Sequence, residues 1–182
     1  YGMKMMVGER IARLGVNIDH FATLRQLRGT PYPNLVEVAQ AVVAAGAQQI
    51  TVHLREDRRH IQDGDVRDLK KNLRGASLNL EMATYPGITR FALKVRPDWV
   101  CIVPERRFEV TTEGGLDLKR GKKRLAETII QLKKAKICVS LFVEPSLEAM
   151  RQAAEFGADA VELHTGRYCL ASQGACGARS RA

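Results

Sequence analysis

Short apolar segments alternate with longer amphipathic ones along most of the chain. The short segments have the length of β-strands, and they predict strands over 14–18, 49–54, 78–82, 99–103, 137–143 and 160–164. Apolar residues at helical spacing predict helices over 35–45, 63–73, 88–95, about 122–136, and 146–156, the last capped by Ser146. Gly46 and Gly157 follow predicted helix ends, where a positive φ is often needed.

Alternating strands and helices indicate an α/β fold with a parallel sheet, and the strands are nearly all apolar, as in sheets covered on both faces. An open doubly wound sheet and a (β/α)₈ barrel both fit this pattern. Polar residues at the carboxyl ends of successive strands favour the barrel, because these ends converge on one mouth there. The residues are Asn17, Asp19, His20, His53, Arg55, Glu81, Glu105, Glu162 and His164. About six of the eight strand–helix units are predicted.

The composition fits one domain without a membrane span. The chain has 182 residues, 45% of them apolar, and its longest apolar runs are too short to cross a bilayer. No secretory leader is apparent, so we expect a cytoplasmic protein. Four cysteines lack C-x-x-C spacing, which predicts reduced thiols. The net charge is +9, and basic residues concentrate over 119–136. Leu125, Ile129 and Leu132 recur there at helical spacing, so we interpret the basic residues as the solvent-exposed face of an amphipathic helix rather than as a nucleic-acid site.

The strand ends carry the candidate chemistry. His53 and Arg55 lie on one side of an extended segment, and an imidazole exchanges protons while an arginine fork suits phosphate. A core imidazole is the alternative for His53, but Arg55 and His60 within reach favour a functional role. Glu81 lies among apolar neighbours, which suits acid–base work, although a structural ion pair is equally compatible. Asp19 is either part of the site or a helix cap.

Known cofactor signatures are missing from the sequence. No Cys/His/carboxylate set has metal-ligand spacing, so we predict no metal. Neither a G-x-G-x-x-G nor a Walker sequence occurs, which argues against a nucleotide cofactor.

Several segments together resemble the pyridoxine 5′-phosphate synthase family. The similarity runs from about residue 14 to residue 168, in order and with similar spacing. Its most specific parts are the block around His53 and the Thr-Thr-Glu-Gly-Gly-Leu-Asp sequence at 111–117; the other parts are Gly-Val-Asn-Ile-Asp-His at 15–20, Asn-Leu-Glu-Met-Ala at 79–83, Val-Pro-Glu at 103–105 and Glu-Leu-His-Thr-Gly at 162–166.

The resemblance implies a (β/α)₈ barrel that forms cytoplasmic homo-octamers and uses no cofactor. It implies condensation of 1-deoxy-D-xylulose 5-phosphate with 3-amino-2-oxopropyl phosphate, giving pyridoxine 5′-phosphate, phosphate and water. His53 and Glu81 match the family's proton acceptors, and Glu162 matches a carboxylate that stabilises the transition state. Positions matching the deoxyxylulose phosphate site are Asp19, His20, Arg55, His60 and Thr111, and those matching the amino-ketone phosphate site are Asn17 and Arg28.

One family element does not occur in the sequence. The family has a further catalytic His in an Asn-Ala-Gly-His-Gly-Leu-like loop after the seventh strand, and no such motif is present. We therefore expect an extension over 1–13, a partial barrel over 14–168 and an irregular tail over 169–182. We also expect the 182-residue chain alone to be inactive or severely impaired. The alternative to a synthase is an inactive truncated barrel that binds at most one phosphorylated ligand or a partner chain.

Overall fold

The computed structural model describes residues 12–105, 114–119 and 121–170. Its six strands form one parallel sheet in sequence order, and each strand pairs with the next. All six predicted strands are confirmed to within one or two residues at their ends. They are β1 (Gly15–Asn17), β2 (Gln49–His53), β3 (Ser77–Met82), β4 (Trp99–Ile102), β5 (Cys138–Val143) and β6 (Ala160–Leu163).

Within the described residues, six helices of nine or more residues connect the strands, and five of them match the predicted helices. Those five are α2 (Leu35–Ala44), α3 (Asp63–Asn72), α4 (Pro86–Val95), α5 (Lys122–Lys134) and α6 (Leu147–Glu155). Ser146 caps α6 as predicted, because its side chain accepts a hydrogen bond from the Ala149 N–H. Gly46 and Gly157 both adopt a positive φ beyond helix ends, also as predicted.

The sequence did not reveal α1 (Asp19–Arg28), which follows β1 directly. Its three large apolar residues on the periodic positions lie mostly in solvent: Phe21 is 43% exposed, Leu24 50% and Leu27 81%. The helix buries only Asp19 and Ala22, so its large apolar side chains do not pack into the core. The helix was not predicted, although Phe21, Leu24 and Leu27 recur in it at helical spacing.

The two faces of the sheet differ in polarity. Side chains that pack with the helices in the core are apolar, among them Ile50, Val52, Leu80, Ile102 and Leu141. Because side chains alternate along a strand, the opposite face carries a polar row. That row includes Thr51, His53, Asn79, Glu81, Cys101 and Ser140. The interpretation of the strands as nearly all apolar is therefore correct only for the helix-facing side.

The architecture is six strand–helix units of a (β/α)₈ barrel, curled with the polar row on the inner face. Helix α5 buries Leu125, Ile129 and Leu132 and exposes its lysines, which confirms that the basic stretch is the wet face of an amphipathic helix. None of the described helices is long and apolar enough to cross a membrane. Cys101, Cys138 and Cys169, the cysteines in the described ranges, are thiols rather than members of a disulfide.

Candidate active site

His53 occupies the centre of a buried polar cluster at the carboxyl ends of the strands. It is the last residue of β2 and pairs in register with Glu81 of β3. The Nδ1 atom of His53 lies 3.9 Å from Oε2 of Glu81, and its Nε2 atom lies 3.9 Å from Oε2 of Glu105. The three side chains are only 9%, 16% and 4% exposed. An imidazole thus lies between two carboxyl groups and away from solvent.

Burial moves the pKa values of His53 and Glu81 in opposite directions. Desolvation, assisted by the positive charges of His60 and Arg55, lowers the pKa of His53 from 6.5 to about 3. Desolvation and the negative charges of Glu162 and Asp19 raise the pKa of Glu81 from 4.5 to about 8. At neutral pH the imidazole is therefore neutral and the carboxyl group holds its proton. A base and an acid then stand side by side.

Asp19 is part of this cluster rather than a helix cap. The residue at the cap position of α1 is Ile18, which makes no side-chain cap hydrogen bond, and Asn17 Oδ1 accepts the first helical backbone N–H, that of Asp19, at 2.8 Å. Asp19 Oδ1 instead accepts a hydrogen bond of 2.8 Å from the backbone N–H of His53, while Asn17 donates its amide N–H to Oδ2 at 3.0 Å. Burial raises the pKa of Asp19, although these hydrogen bonds oppose that change. The capping interpretation is wrong. The Asp19 side chain instead stabilises the carboxyl end of β2 through its hydrogen bond with the His53 backbone.

The segment after β2 brings cations to the cluster. Two guanidinium nitrogens of Arg55 lie 3.2 Å from the oxygens of Asp57, and the Arg55 side chain is only 6% exposed. Asp57 also accepts a hydrogen bond from Arg59. Burial alone would raise the pKa of Asp57, but the hydrogen bonds from Arg59 and Arg55 bring it well below its usual range. The ring of His60 lies 6.0 Å from that of His53.

Glu162 reaches the polar row from β6. Its Oε2 accepts a hydrogen bond of 3.4 Å from the Cys101 thiol, and Cys101 is the register partner of Glu81. The negative charge of Glu162 also contributes to the raised pKa of Glu81. Glu162 is therefore electrostatically coupled to the cluster, although its own side chain is exposed.

Comparison with known proteins identifies the family. Residues 14–181 match the family model described as "Pyridoxal phosphate biosynthesis protein PdxJ". The chain belongs to the PdxJ family. It is 54% identical over 160 residues to the pyridoxine 5′-phosphate synthase of Bdellovibrio bacteriovorus and 56% identical over 162 residues to that of Thioalkalivibrio sulfidiphilus. The alignments cover 87% and 89% of this chain but only 66% and 65% of the relatives, so the chain spans slightly less than two thirds of their length.

A solved structure supports the fold of this PdxJ-family chain. The mandelate oxidase variant R163L, solved with 2-hydroxy-phenylacetamide, superposes with a TM-score of 0.53 at 12% identity. The match covers 82% of this chain and 62% of the oxidase. At that identity the likeness concerns the barrel architecture alone.

Not every residue expected from the PdxJ-family resemblance joins the cluster. Asp19, His53, Arg55, His60 and Glu81 come together, and Asn17 joins them through Asp19 and Glu81. His20 is exposed next to Asp19. Arg28 is the last residue of α1, about 14 Å along the helix axis from Asp19, and its side chain is exposed. Thr111 lies outside the described residues.

Two members of the cluster were not among the predicted site residues. Glu105 follows β4 and was visible only as one of several polar residues at strand ends. Asp57 looks in the sequence like one acid in a charged loop, yet it orients Arg55 and Arg59 together. In both cases the missing information was the direction of the side chain, which a strand end or an irregular loop does not specify.

A second polar contact joins β5 to the residue that follows β6. Glu144 Oε1 accepts a backbone hydrogen bond from Gly115 at 2.9 Å and lies 2.9 Å from Nδ1 of His164. Gly115 packs so closely that a Cβ atom there would lie 2.3 Å from the backbone nitrogen of Glu144. Only glycine fits, and the segment that includes Gly115 is thereby held against the end of β5.

Asp19, His53 and His60 also bring their ligand atoms within 4.8 Å of one another, close enough to hold a metal ion. The sequence predicted no metal and did not reveal this group, because the three residues come from α1, the end of β2 and the following loop. These side chains coincide with the positions that the resemblance assigns to substrate and proton transfer. We therefore treat them as part of the acid–base site.

Proposed function

We propose that the whole protein condenses 1-deoxy-D-xylulose 5-phosphate with 3-amino-2-oxopropyl phosphate to give pyridoxine 5′-phosphate, inorganic phosphate and water. This chain would supply the acid–base cluster, the contacts to deoxyxylulose phosphate and some of the contacts to the amino-ketone phosphate. Membership of the PdxJ family supports the proposal, as do relatives named pyridoxine 5′-phosphate synthase. The reaction as proposed needs no cofactor.

The observation that carries this proposal is the neutral imidazole of His53 beside the protonated carboxyl group of Glu81. Joining an amine to a ketone and expelling water requires one group to accept a proton and another to donate one. Closing the ring and losing phosphate requires further transfers. His53 is suited to accept the first proton, and Glu81 to deliver one to the departing oxygen. Glu162, at the open side of the row, would stabilise positive charge that develops on the substrate.

The basic groups next to His53 suit the phosphate and hydroxyl groups of deoxyxylulose phosphate. In this proposal Arg55, His60, His20 and Thr111 bind that substrate, together with Asp19. Asn17 and Arg28 bind the amino-ketone phosphate. A guanidinium already held in place by Asp57 loses little conformational freedom when it binds an anion. Phosphate binding thus accounts for the basic residues without nucleic acid as a partner.

Replacing Arg55 with alanine is expected to weaken binding of 1-deoxy-D-xylulose 5-phosphate to this chain roughly 10- to 100-fold, because charge-assisted hydrogen bonds contribute ~1.5–3 kcal/mol each. Isothermal titration calorimetry measures the change. Arg74→Ala is the matched control, since the exposed Arg74 donates to the backbone oxygens of Lys71 and Leu73. It precedes β3 and so lies toward the amino ends of the strands, away from the cluster at their carboxyl ends. Equal affinities of the Arg55 variant and the wild type would remove Arg55 from the phosphate site.

The apolar side chains of α1 need a covering surface in the whole protein. Phe21, Leu24 and Leu27 are 43–81% exposed in this chain, and either the remaining part of the barrel or a second copy would cover them. We propose that the whole protein is a cytoplasmic homo-oligomer, an octamer as the resemblance implies. Sedimentation velocity of the whole protein measures its assembly state.

A hybrid protein tests the proposed activity directly. In it, residues 14–168 of this chain replace the matching part of the Bdellovibrio bacteriovorus relative, and the intact relative is the positive control. With both substrates supplied, the hybrid is expected to release inorganic phosphate and pyridoxine 5′-phosphate in equal amounts. A folded hybrid that binds deoxyxylulose phosphate without turnover would contradict the synthase proposal and favour the ligand-binding alternative. The 182-residue chain assayed alone tests the expectation that it is impaired.

A further inference from the structure

The side chain of Glu105 is almost completely buried although the residue lies outside regular secondary structure. It comes three residues after the end of β4, and its side chain is only 4% exposed. One carboxylate oxygen, Oε1, accepts a hydrogen bond of 2.8 Å from the backbone N–H of Glu56. Glu56 follows Arg55 in the segment that carries the basic groups. Glu105 therefore ties that segment to the end of β4.

The other oxygen of Glu105 faces His53. Its Oε2 atom and Nε2 of His53 lie 3.9 Å apart, and both atoms are buried. Neither has a hydrogen-bond partner within the part of the chain that the structure describes. A buried polar atom left without a partner costs about 1–3 kcal/mol. A movement of roughly one ångström would bring the two within hydrogen-bond distance and remove both penalties.

We propose that Glu105 is a positioning residue for His53: its carboxylate accepts the proton on Nε2 and so leaves the lone pair of Nδ1 facing Glu81. The proposal deepens the proposed function and rests on it for the role of His53 as the base. Two carboxyl groups then contact one imidazole from opposite sides with different tasks. Glu105 fixes the tautomer, and Glu81 exchanges the proton.

The protonation states of the neighbours agree with this division. Glu81, with its pKa raised to about 8, presents an O–H toward Nδ1 at neutral pH, and an O–H requires an acceptor nitrogen. Burial also raises the pKa of Glu105, but the backbone hydrogen bond from Glu56 and the charge of Arg55 oppose that change. Glu105 is thus the better candidate for the ionised acceptor. When a proton from substrate passes to the Glu81 carboxyl group and Glu81 gives its own proton to Nδ1, the Glu105 carboxylate stabilises the imidazolium that forms.

The tautomer of His53 is measurable in the chain itself, without substrate. Long-range ¹H–¹⁵N correlation spectra of the histidine-labelled chain at pH 7 distinguish protonated from unprotonated ring nitrogens, and a His53→Gln variant assigns the signals. We expect the wild-type ring to carry its proton on Nε2. In Glu105→Gln the amide oxygen keeps the bond to Glu56, whereas the NH₂ group faces His53. The proton should then move to Nδ1.

Glu144→Gln is the matched control, because Glu144 is also a carboxylate after a strand end that accepts a backbone N–H. It should leave the His53 signals unchanged. A wild-type ring protonated on Nδ1 would overturn the proposal even if the Glu105 variant failed to fold. An unchanged tautomer in a folded Glu105→Gln variant would also overturn it.

Turnover separates this inference from the proposed function. In the hybrid protein, Glu105→Gln is expected to lower kcat roughly 10- to 100-fold with little change in KM, since it alters the base and not the phosphate contacts. Suppose that Glu105→Gln switches the His53 tautomer but the hybrid protein shows no turnover. This result would support the positioning role of Glu105 and contradict the synthase proposal. A KM effect with unchanged kcat would assign Glu105 to substrate binding instead and overturn the positioning role.

Discussion

Turnover by the hybrid protein is expected to fall by roughly 10²- to 10⁴-fold when His53 is replaced by glutamine, the range typical for loss of a general base. Glutamine has a similar volume and keeps hydrogen-bonding capacity, but it does not titrate. The expected loss is therefore chemical rather than structural. Steady-state release of inorganic phosphate measures it.

Ligand binding distinguishes lost chemistry from a lost fold in this variant. Deoxyxylulose phosphate should bind His53→Gln within a few-fold of the wild-type affinity, because Arg55 and His60 remain in place. The pH profile supplies a second check, since removing one titrating group removes one limb of the rate profile. A His53→Gln hybrid with wild-type kcat would remove His53 from the mechanism and, with it, the observation on which the proposed function depends.

Glu81→Gln is expected to make the chain more resistant to alkaline pH. The carboxyl group has a pKa of about 8 in the folded chain against an ordinary value of 4.5. Below pH 4.5 both states hold the proton. Between these values the folded state keeps a proton that the unfolded chain has lost, so stability falls as pH rises. The cost above pH 8 is on the order of 5 kcal/mol, because a tenfold change in a proton-binding constant corresponds to about 1.4 kcal/mol. Glutamine removes this dependence.

Urea unfolding at several pH values between 5 and 9 measures the effect, with Trp99, the single tryptophan, as the fluorescent reporter. As the pH rises from 5 to 9, the free energy of unfolding of Glu81→Gln should increase by several kcal/mol relative to that of the wild type. The same substitution at the exposed Glu155, at the end of α6, is the control. A difference between Glu81→Gln and the wild type that does not change with pH would mean that the Glu81 carboxyl group is not desolvated.

Periodicity predicts the sheet well because burial against helices imposes it. Residues such as Leu80 and Leu141 are apolar on the side that faces the helices, and their spacing shows in the sequence. Helix α1 was not predicted: only three of its ten residues are large and apolar, and polar and charged residues separate them. The polar inner row was only partly visible, since small groups such as Ser140 and Cys101 carry weak signals on their own.

The centre of the candidate site could be predicted because reactive side chains follow strands whose ends must converge. His53, Arg55 and Glu81 were all found in this way. The sequence does not give the distances that decide what each group does. Nothing in the residue order distinguishes Glu105, which faces His53 at 3.9 Å, from Arg28, which ends a helix well away from the cluster. Side-chain direction depends on tertiary packing, and a strand end does not encode it.

The carboxylate of Glu144 contacts both Gly115 and His164, so one side chain holds two separate segments in place. Its release, by mutation or by protonation in acid, would loosen both at once, so their disorder would be correlated rather than independent. Amide exchange at Gly115 and line broadening of the His164 ring should therefore rise together in Glu144→Ala.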